Sequence, residues 1–567
     1  MLVLAGIASS LLARRFGAPL LLVFLALGLL LGVDGPGGIR YADTRFTYFV
    51  GSLALCVILF DGGLQTRAAQ VRGSVAPSLV LATVGVAVTA ALTSLAAHWF
   101  LQLAPLQSLL LGAVLASTDA AAVLFLLRAG GLHLERRTSS TLEMESGAND
   151  PVAIFLTIGL TSWLAVGGER GGVAVLALHM AWAMAAGVAL GYLGGRAIVW
   201  ALNRHVLPSG LPPWLAMAGA VALFALTNRI GGSGYLAAYL AGIVVANRPV
   251  RGRSEMMSVQ NASTWFAQLV MFLLLGLLAT PRHLLDVLWP ALAVAAFLML
   301  AARPLAVALC LAPFRYRAGE IGFIGWVGLR GAVSIFLASI PLLAKLPNAG
   351  LYFNVAFVVV LASLLVQGWT LARAAHLFGV AVPRTDPDSR RIQLDLPGQL
   401  EYDLVGYRVA AGSAALHGAA LPGHVRLAML VREGQVLLPG QAGDFVANDY
   451  VYFVSPSGQA HRLDWVFAEG RAARNAEQEA FGQFAPHGDV PLGELAQFYG
   501  LKLPARYATY NAADLFDQRF DGAPQVGDRL SLGRATLVVR AVRDDRVERV
   551  GLKFSGLGER LITGDRR

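Results

Sequence analysis

Charge is scarce in this chain of 567 residues: only 14% of them are Asp, Glu, Lys or Arg. Soluble globular proteins carry about 25%. A chain this poor in charge, with a mean hydropathy of +0.60, cannot build an ordinary water-facing surface, so the composition excludes a wholly soluble protein. Cysteine is nearly absent too. Cys56 and Cys310 each sit inside an apolar run, which excludes a disulfide framework. The sequence has no GxxxxGK[ST] phosphate loop, no HExxH and no CxxC, so it shows no ATP engine and no zinc or thiol redox centre. No glycine-rich turn opens a βαβ unit, so no dinucleotide and no other cofactor is expected. Met1 leads straight into an apolar stretch without a cleavage site, and no removable leader is expected. The formal net charge of +10 raises the question of membrane sidedness here rather than of nucleic acid.

What is present is a long series of apolar runs. A spanning helix needs about 20 mostly apolar residues. Thirteen candidates stand at 1–12, 18–33, 46–60, 75–100, 106–128, 141–165, 171–202, 213–228, 233–247, 259–280, 287–312, 319–344 and 351–376. The first is short for a span, and the reading is a helix whose true start lies upstream of Met1. With thirteen spans, one side receives only Arg40, Arg45, Arg170, Arg229, Arg282 and Lys345 at its loops and span ends. The other receives far more, among them Arg14, Arg15, Arg67, Arg72, Arg136, Arg137, Arg251, Arg253 and Arg303. Positive loops face the cytoplasm. The N-terminus is therefore expected outside, and the C-terminal part inside, of a bacterial inner membrane.

Ionisable side chains at membrane depth are costly and mark function. Most runs have none away from their ends; the exceptions that matter are Asp61, Asp119, Glu143, Glu145, Asp150 and Arg330. Asp119, in Ser117-Thr118-Asp119-Ala120, makes a polar break inside a span and predicts unwound backbone, where transporters place ion sites. The densest cluster is Glu143-Met144-Glu145-Ser146-Gly147-Ala148-Asn149-Asp150-Pro151. Glu145 and Asn149 share one helix face, and Glu143 and Asp150 share another. Glu145, Ser146, Asn149 and Asp150 offer hard oxygens to a small cation. Pro151 has no N–H, which leaves the carbonyl of Gly147 without its helical partner. The alternative, solvated acids in a loop, would leave residues 151–165 to span alone. Arg330, in Gly328-Leu329-Arg330-Gly331-Ala332, needs a carboxylate at this depth; Glu145 is the first choice and Asp61 the second. Asp61 itself lies near the end of its span. His98, His179 and His376 stand isolated and suggest no metal centre.

Ser117-Thr118-Asp119, Glu145 to Pro151, and Gly328 to Ala332 resemble the signature segments of the monovalent cation:proton antiporters, most closely the NhaP-type branch of potassium/proton antiporters. The resemblance runs over nearly the whole chain. It implies an all-α polytopic fold with inverted repeats and broken helices, in a homodimer whose core moves against a dimerisation domain. It also implies an ion site of Thr118, Asp119, Ser146, Asn149 and Asp150, with Glu145 paired to Arg330 and Asp61 nearby. Ala120, where many relatives have proline, is common in the potassium branch. The Asn149-Asp150 pair resembles that of the electroneutral exchangers, whereas electrogenic relatives carry two adjacent aspartates.

After the membrane part, 1–376, the composition becomes that of a soluble α/β protein. Residues 377–397 read as a linker with Pro383, Pro387 and Pro397. Residues 398–470 resemble a TrkA-C (RCK-C) regulatory domain. Their hairpin pairs Val425 to Val431 with Val436 to Leu438 across Arg432-Glu433-Gly434-Gln435, and a strand follows at Asp449 to Val454. Residues 480–567 resemble the CorC/HlyC transporter-associated domain, with strands at Ala535 to Val542 and Arg546 to Leu552. A small regulator binding there, or a passive dimerisation role, fits these folds equally. The whole reads as a secondary exchanger of potassium or sodium for protons and not an enzyme. A regulated cation channel is the alternative, and a receptor with a vestigial core the third reading.

Overall fold

A computed structural model describes residues 20–66, 72–129, 132–165, 172–204, 210–383, 391–395, 402–411, 413–417, 425–441, 443–456, 484–499, 509–519, 528–532, 535–543 and 546–554, with a few isolated positions between. The candidate span at 1–12 lies outside them. The chain divides into two compact units, one of residues 1–130 and 137–380, the other of 131–136 and 381–567.

The first unit is helical. Its helices are α1 (Leu20–Leu31), α2 (Thr44–Gln65), α3 (Val75–Leu101), α4 (Pro105–Val114), α5 (Ala120–Ala129), α6 (Arg136–Ala165) and α7 (Gly172–Arg204). There follow α8 (Leu211–Arg229), α9 (Gly234–Ala246), α10 (Arg253–Leu278), α11 (Leu288–Phe314), α12 (Ala318–Trp326), α13 (Ala332–Leu343) and α14 (Ala349–Leu377). Among the described residues, seven of the helices are long and apolar enough to cross a membrane alone. Two of the expected spans are broken. The run at 106–128 becomes α4 and α5, interrupted at Ser117-Thr118-Asp119. The run at 319–344 becomes α12 and α13, interrupted at 327–331. The polar and glycine residues at those points favour unwinding, because their side chains and neighbours can take over the freed backbone bonds. The cluster segment 143–151 is not a loop: α6 runs unbroken through Pro151.

Local signals set the helix starts. Asp43 accepts from the Phe46 amide at 2.9 Å ahead of α2, and Ser233 accepts from the Leu236 amide at 3.2 Å ahead of α9. Within this unit the helices form two groups. In the first, α1, α2 and α7 to α10 pack on one another; in the second, α3 to α5 and α11 to α14 do so. Helix α6 joins the second group through the hydrogen bonds described below. Between the groups, α2 and α10 touch α13.

The second unit holds a two-stranded pair, β1 (Leu132–Leu134) with β2 (Ala381–Pro383), and two antiparallel sheets. The larger consists of β3 (Arg391–Asp395), β4 (Tyr402–Arg408), β5 (Arg426–Arg432), β6 (Gln435–Leu437) and β7 (Tyr450–Pro456), in the order β3-β4-β7-β5-β6. Its core gathers Val405, Tyr407, Leu430, Val451, Phe453 and Phe467. The hairpin is the one expected: Arg432 pairs with Gln435, and Glu433 and Gly434 take φ of 49° and 82°. Two positive φ values suit the twist of a two-residue turn. Strand β3, however, lies within the stretch read as linker. Its alternating Arg391-Ile392-Gln393-Leu394-Asp395 lets it add to the sheet edge beside β4. The smaller sheet orders β8 (Arg529–Leu532), β9 (Ala535–Arg543) and β10 (Arg546–Phe554) as β10-β9-β8. Between the two sheets in sequence come α15 (Leu492–Tyr499) and α16 (Ala512–Arg519), whose Leu495 and Phe516 share a core with Leu537 and Val550.

One buried ion pair in the larger sheet has a pH consequence. Asp449 is 2% exposed and accepts from Arg432 Nε at 3.0 Å and Nη2 at 2.8 Å. The Arg432 hydrogen bonds hold the Asp449 carboxyl below its ordinary range, helped by the Val446 amide and opposed by burial. A carboxyl whose folded value is depressed contributes stability that is present above its unfolded value, about 3.9, and is lost as pH falls. Protection of β5 and β7 against hydrogen exchange, measured relative to the intrinsic amide rate at each pH, is therefore expected to fall on acidification below about pH 4. In Asp449→Asn that acid dependence should be absent; an unchanged pH profile in this variant would assign the acid loss to another group.

Candidate ion site

The site lies where the two broken spans cross beside α6. The Asp119 amide, in the first break, donates to the Leu329 carbonyl in the second at 2.8 Å. The approach there is close: a Cβ on Gly331 would stand 2.6 Å from Asp119 Oδ2, so this position takes only glycine without displacement. Asp119 also caps α5, accepting from the Ala122 amide at 3.0 Å. On the far side, Ser363 of α14 accepts from the Arg330 amide at 3.0 Å and donates to Gln367, whose amide group donates to the Trp326 carbonyl at 2.6 Å. One turn of α14 thus satisfies both edges of the second break.

Helix α6 presents its polar face to the first break. Ser146 donates to the Thr118 carbonyl at 3.0 Å and accepts from the Ala120 amide at 3.2 Å. Asn149 donates through Nδ2 to Thr118 Oγ1 at 2.6 Å. Ser117 donates to Asp150 in a short hydrogen bond. Asp150 is 6% exposed and Asn149 fully buried. The Asn149 carbonyl oxygen, Oδ1, is buried with no hydrogen-bond partner among the described residues. The structure thus brings together all five residues read as the ion site, Thr118, Asp119, Ser146, Asn149 and Asp150. It adds Ser117, whose place in the same unwound segment as Thr118 and Asp119 was the available signal.

The ion pairing differs from expectation. Glu145 does not pair with Arg330; it binds Arg303 of α11 at both carboxylate oxygens, 2.7 and 2.8 Å, with both side chains almost fully buried. Nη2 donates to Oε2, and Nη1 stands as an ion-pair contact at Oε1, so one guanidinium holds both oxygens of the buried carboxylate. Arg330, 1% exposed, instead donates through Nη1 to the carbonyls of Ala116 and Ser117, each at 2.7 Å. Those carbonyls follow the C-terminal end of α4, where the helix dipole is negative and a cation is favoured. Asp61 stands apart from the pair, on α2, and accepts from Gln65 at 2.9 Å. Arg303 had been counted among loop and span-end arginines. It falls inside the apolar run 287–312, and that position marked it as an arginine needing a buried partner.

Chemically the site is a buried cluster of hydroxyl, amide, carbonyl and carboxylate oxygens around Asp150. It suits one small monovalent cation or one proton. Nearby positive charges are fixed to other partners and hold the fold around the oxygens rather than filling the site.

Comparison with known proteins agrees with this arrangement. Residues 1–376 match the family described as sodium/hydrogen exchanger, transmembrane, and residues 477–556 match the CorC/HlyC transporter-associated domain. The chain is 40% identical over 549 residues to the K(+)/H(+) antiporter NhaP2 of Shewanella baltica, covering 96% of this chain and 94% of that one. It is 39% identical over 563 residues to the K(+)/H(+) antiporter NhaP of Alkalimonas amylolytica, covering 98% and 97%. In fold it is similar to the sodium proton antiporter MjNhaP1 of Methanocaldococcus jannaschii, with a TM-score of 0.57 and 21% identity over 65% of this chain and 96% of that one. A polytopic helical domain with a broken span at Ser117-Thr118-Asp119, followed by small soluble domains, is what the sequence led one to expect, whereas the second break at 327–331, and not the Asp150 helix, is what crosses it; the chain belongs to the sodium/hydrogen exchanger transmembrane family.

Proposed function

We propose that this chain is a secondary antiporter that exchanges potassium for protons across a bacterial inner membrane. The observation that carries the reading is the buried oxygen cluster at the crossing, with the Asp150 carboxylate beside the unpartnered Oδ1 of Asn149. Potassium is favoured over sodium by the two relatives of about 40% identity, both named as K(+)/H(+) antiporters over nearly the full length. Asp150 takes either a proton or the cation. Thr118, Ser146, Asn149 and Asp119 complete the oxygens around it, and the Glu145–Arg303 and Arg330–carbonyl contacts keep them in place. A bare carboxylate crosses the membrane interior at high cost, so only an occupied site changes its access. The N-terminus faces outside and the second unit faces the cytoplasm, where residues 398–470 and 480–567 gate the exchange. The active form is a homodimer.

Dye-reported exchange in everted vesicles, with potassium, sodium and lithium across a pH series, tests the reading. Proton movement driven by potassium is expected, and potassium flux without proton counterflow would favour the channel instead. Asn149 stands where a second carboxylate would add a second charge, so one proton moves per cation. The rate in proteoliposomes should therefore stay within about twofold when a membrane potential of either sign is imposed, since a potential acts only on net charge moved. A rate that follows the potential would reject one-for-one exchange.

A further inference from the structure

Tyr239, on α9 of the first helix group, is 3% exposed and lies flat against Gly147 of α6 in the second group. A Cβ on Gly147 would meet the ring itself and would stand 2.7 Å from the hydroxyl oxygen. No side chain but hydrogen fits there. The hydroxyl is buried and has no hydrogen-bond partner among the described residues. The polar side chains that face it are Thr66, just after α2, and Glu143 of α6. Both lie toward one membrane face. Helix α6 begins there at residue 136, α2 ends there, and Asn247 after α9 donates to the Thr66 carbonyl at 3.0 Å. In the other direction, Gly147 is flanked by Ser146 and followed three residues later by Asp150. The ring thus stands between the oxygen cluster and that face. A second contact of the same kind crosses the groups elsewhere: Phe336 of α13 lies on Gly51 of α2, where a Cβ would be 2.7 Å from the ring, and stacks on Tyr48 at 5.4 Å.

We propose that the Tyr239 ring is the gate on the α6-start side of the site, closing the way to Asp150 while it lies on Gly147 and opening it when the two helix groups slide apart. The inference rests on the Asp150 site assigned above. A ring on a bare α-carbon is a contact made by shape alone, so it can be left and remade without breaking a hydrogen bond. Tyr239 is then a positioning residue: it touches neither ion in the closed state but decides which face the site meets.

The test is accessibility, which reads the gate apart from transport. A full-length protein with Cys56→Ala and Cys310→Ala, carrying Ser146→Cys as the reporter, is reconstituted in liposomes and treated from each face with a membrane-impermeant maleimide. Adding Tyr239→Ala is expected to speed labelling at least tenfold from one face and to leave the other within twofold. Tyr239→Phe, which keeps the ring, should leave both faces within twofold. If the alanine variant does not fold, Tyr239→Leu is read in the same way. Labelling within twofold from both faces in the folded Ala or Leu variant overturns the gate. So does a Tyr239→Phe protein that loses exchange with Ser146 native while labelling in the reporter background is unchanged, since the hydroxyl and not the ring would then be at work. Failure of the Asp150 reading shows separately, as exchange that survives Asp150→Asn.

Discussion

Asp150→Asn should lose cation-dependent proton exchange by roughly a hundredfold or more, at least about 2.7 kcal/mol of lost rate. The amide has nearly the shape of the carboxylate and can still accept from Ser117, so the fold and the membrane insertion should survive. What disappears is the negative charge that a proton or a cation neutralises. An amide does not titrate near neutral pH, so the site can no longer alternate between its two cargoes. The measurement is dye-reported exchange in everted vesicles at matched protein levels. Exchange at the parent rate in a well-inserted Asp150→Asn protein would remove Asp150 from the carrier role. The companion variant Asp119→Asn is more local in effect, because Asp119 already caps α5 through the Ala122 amide.

Arg303→Ala should damage the protein before it reaches transport. The substitution leaves the Glu145 carboxylate 1% exposed and stripped of both its bonds. Breaking one side of a buried pair costs about 3–5 kcal/mol, because the charge that remains has nowhere to be solvated. Membrane abundance and the thermal stability of the detergent-purified protein should both fall. Removing both charges together, as Arg303→Met with Glu145→Gln, should recover most of that loss, since neutral replacements of similar volume often match a buried pair. A single Arg303→Ala protein with parent stability would mean that Glu145 finds another cation. Arg330 is the one placed to be tested next.

The sequence carried the parts of the site that depend on local chemistry. Ser117-Thr118-Asp119 announced a break because three polar residues interrupt an apolar run, and Asp150 stood out because a carboxylate in such a run has few innocent explanations. All five site residues came together as expected. The pairing of Arg330 did not, for a physical reason. A buried arginine needs partners, but backbone carbonyls can supply them, here to Nη1, and carbonyls leave no mark in the sequence. The carbonyls of Ala116 and Ser117 became available only because the helix unwinds there. Glu145 sits in a buried ion pair with Arg303 rather than Arg330, and nothing in the local sequence says which of two buried guanidinium groups reaches it. The gate residue left still less trace: Tyr239 reads as one aromatic in an apolar helix, and Gly147 as one small residue among several. Strand β3 escaped notice because prolines on both sides of it suggested a linker, although five alternating residues suffice for a sheet edge.

The two buried arginines also set an electrical balance for the part of the protein that holds the site. Around the crossing, the second helix group encloses the side chains of Asp119, Glu145 and Asp150, three acids, and of Arg303 and Arg330, two bases. With all three of these acids ionised, the five side chains together carry one unit of negative charge. A single proton brings it to zero, and so does a single potassium ion. In the one-for-one exchange proposed above, this set of side chains is therefore electrically the same whichever cargo it holds, and the membrane field does no net work on it in either direction. A second carboxylate at position 149 would upset that equality, leaving one negative charge to be dragged through the field on every turnover.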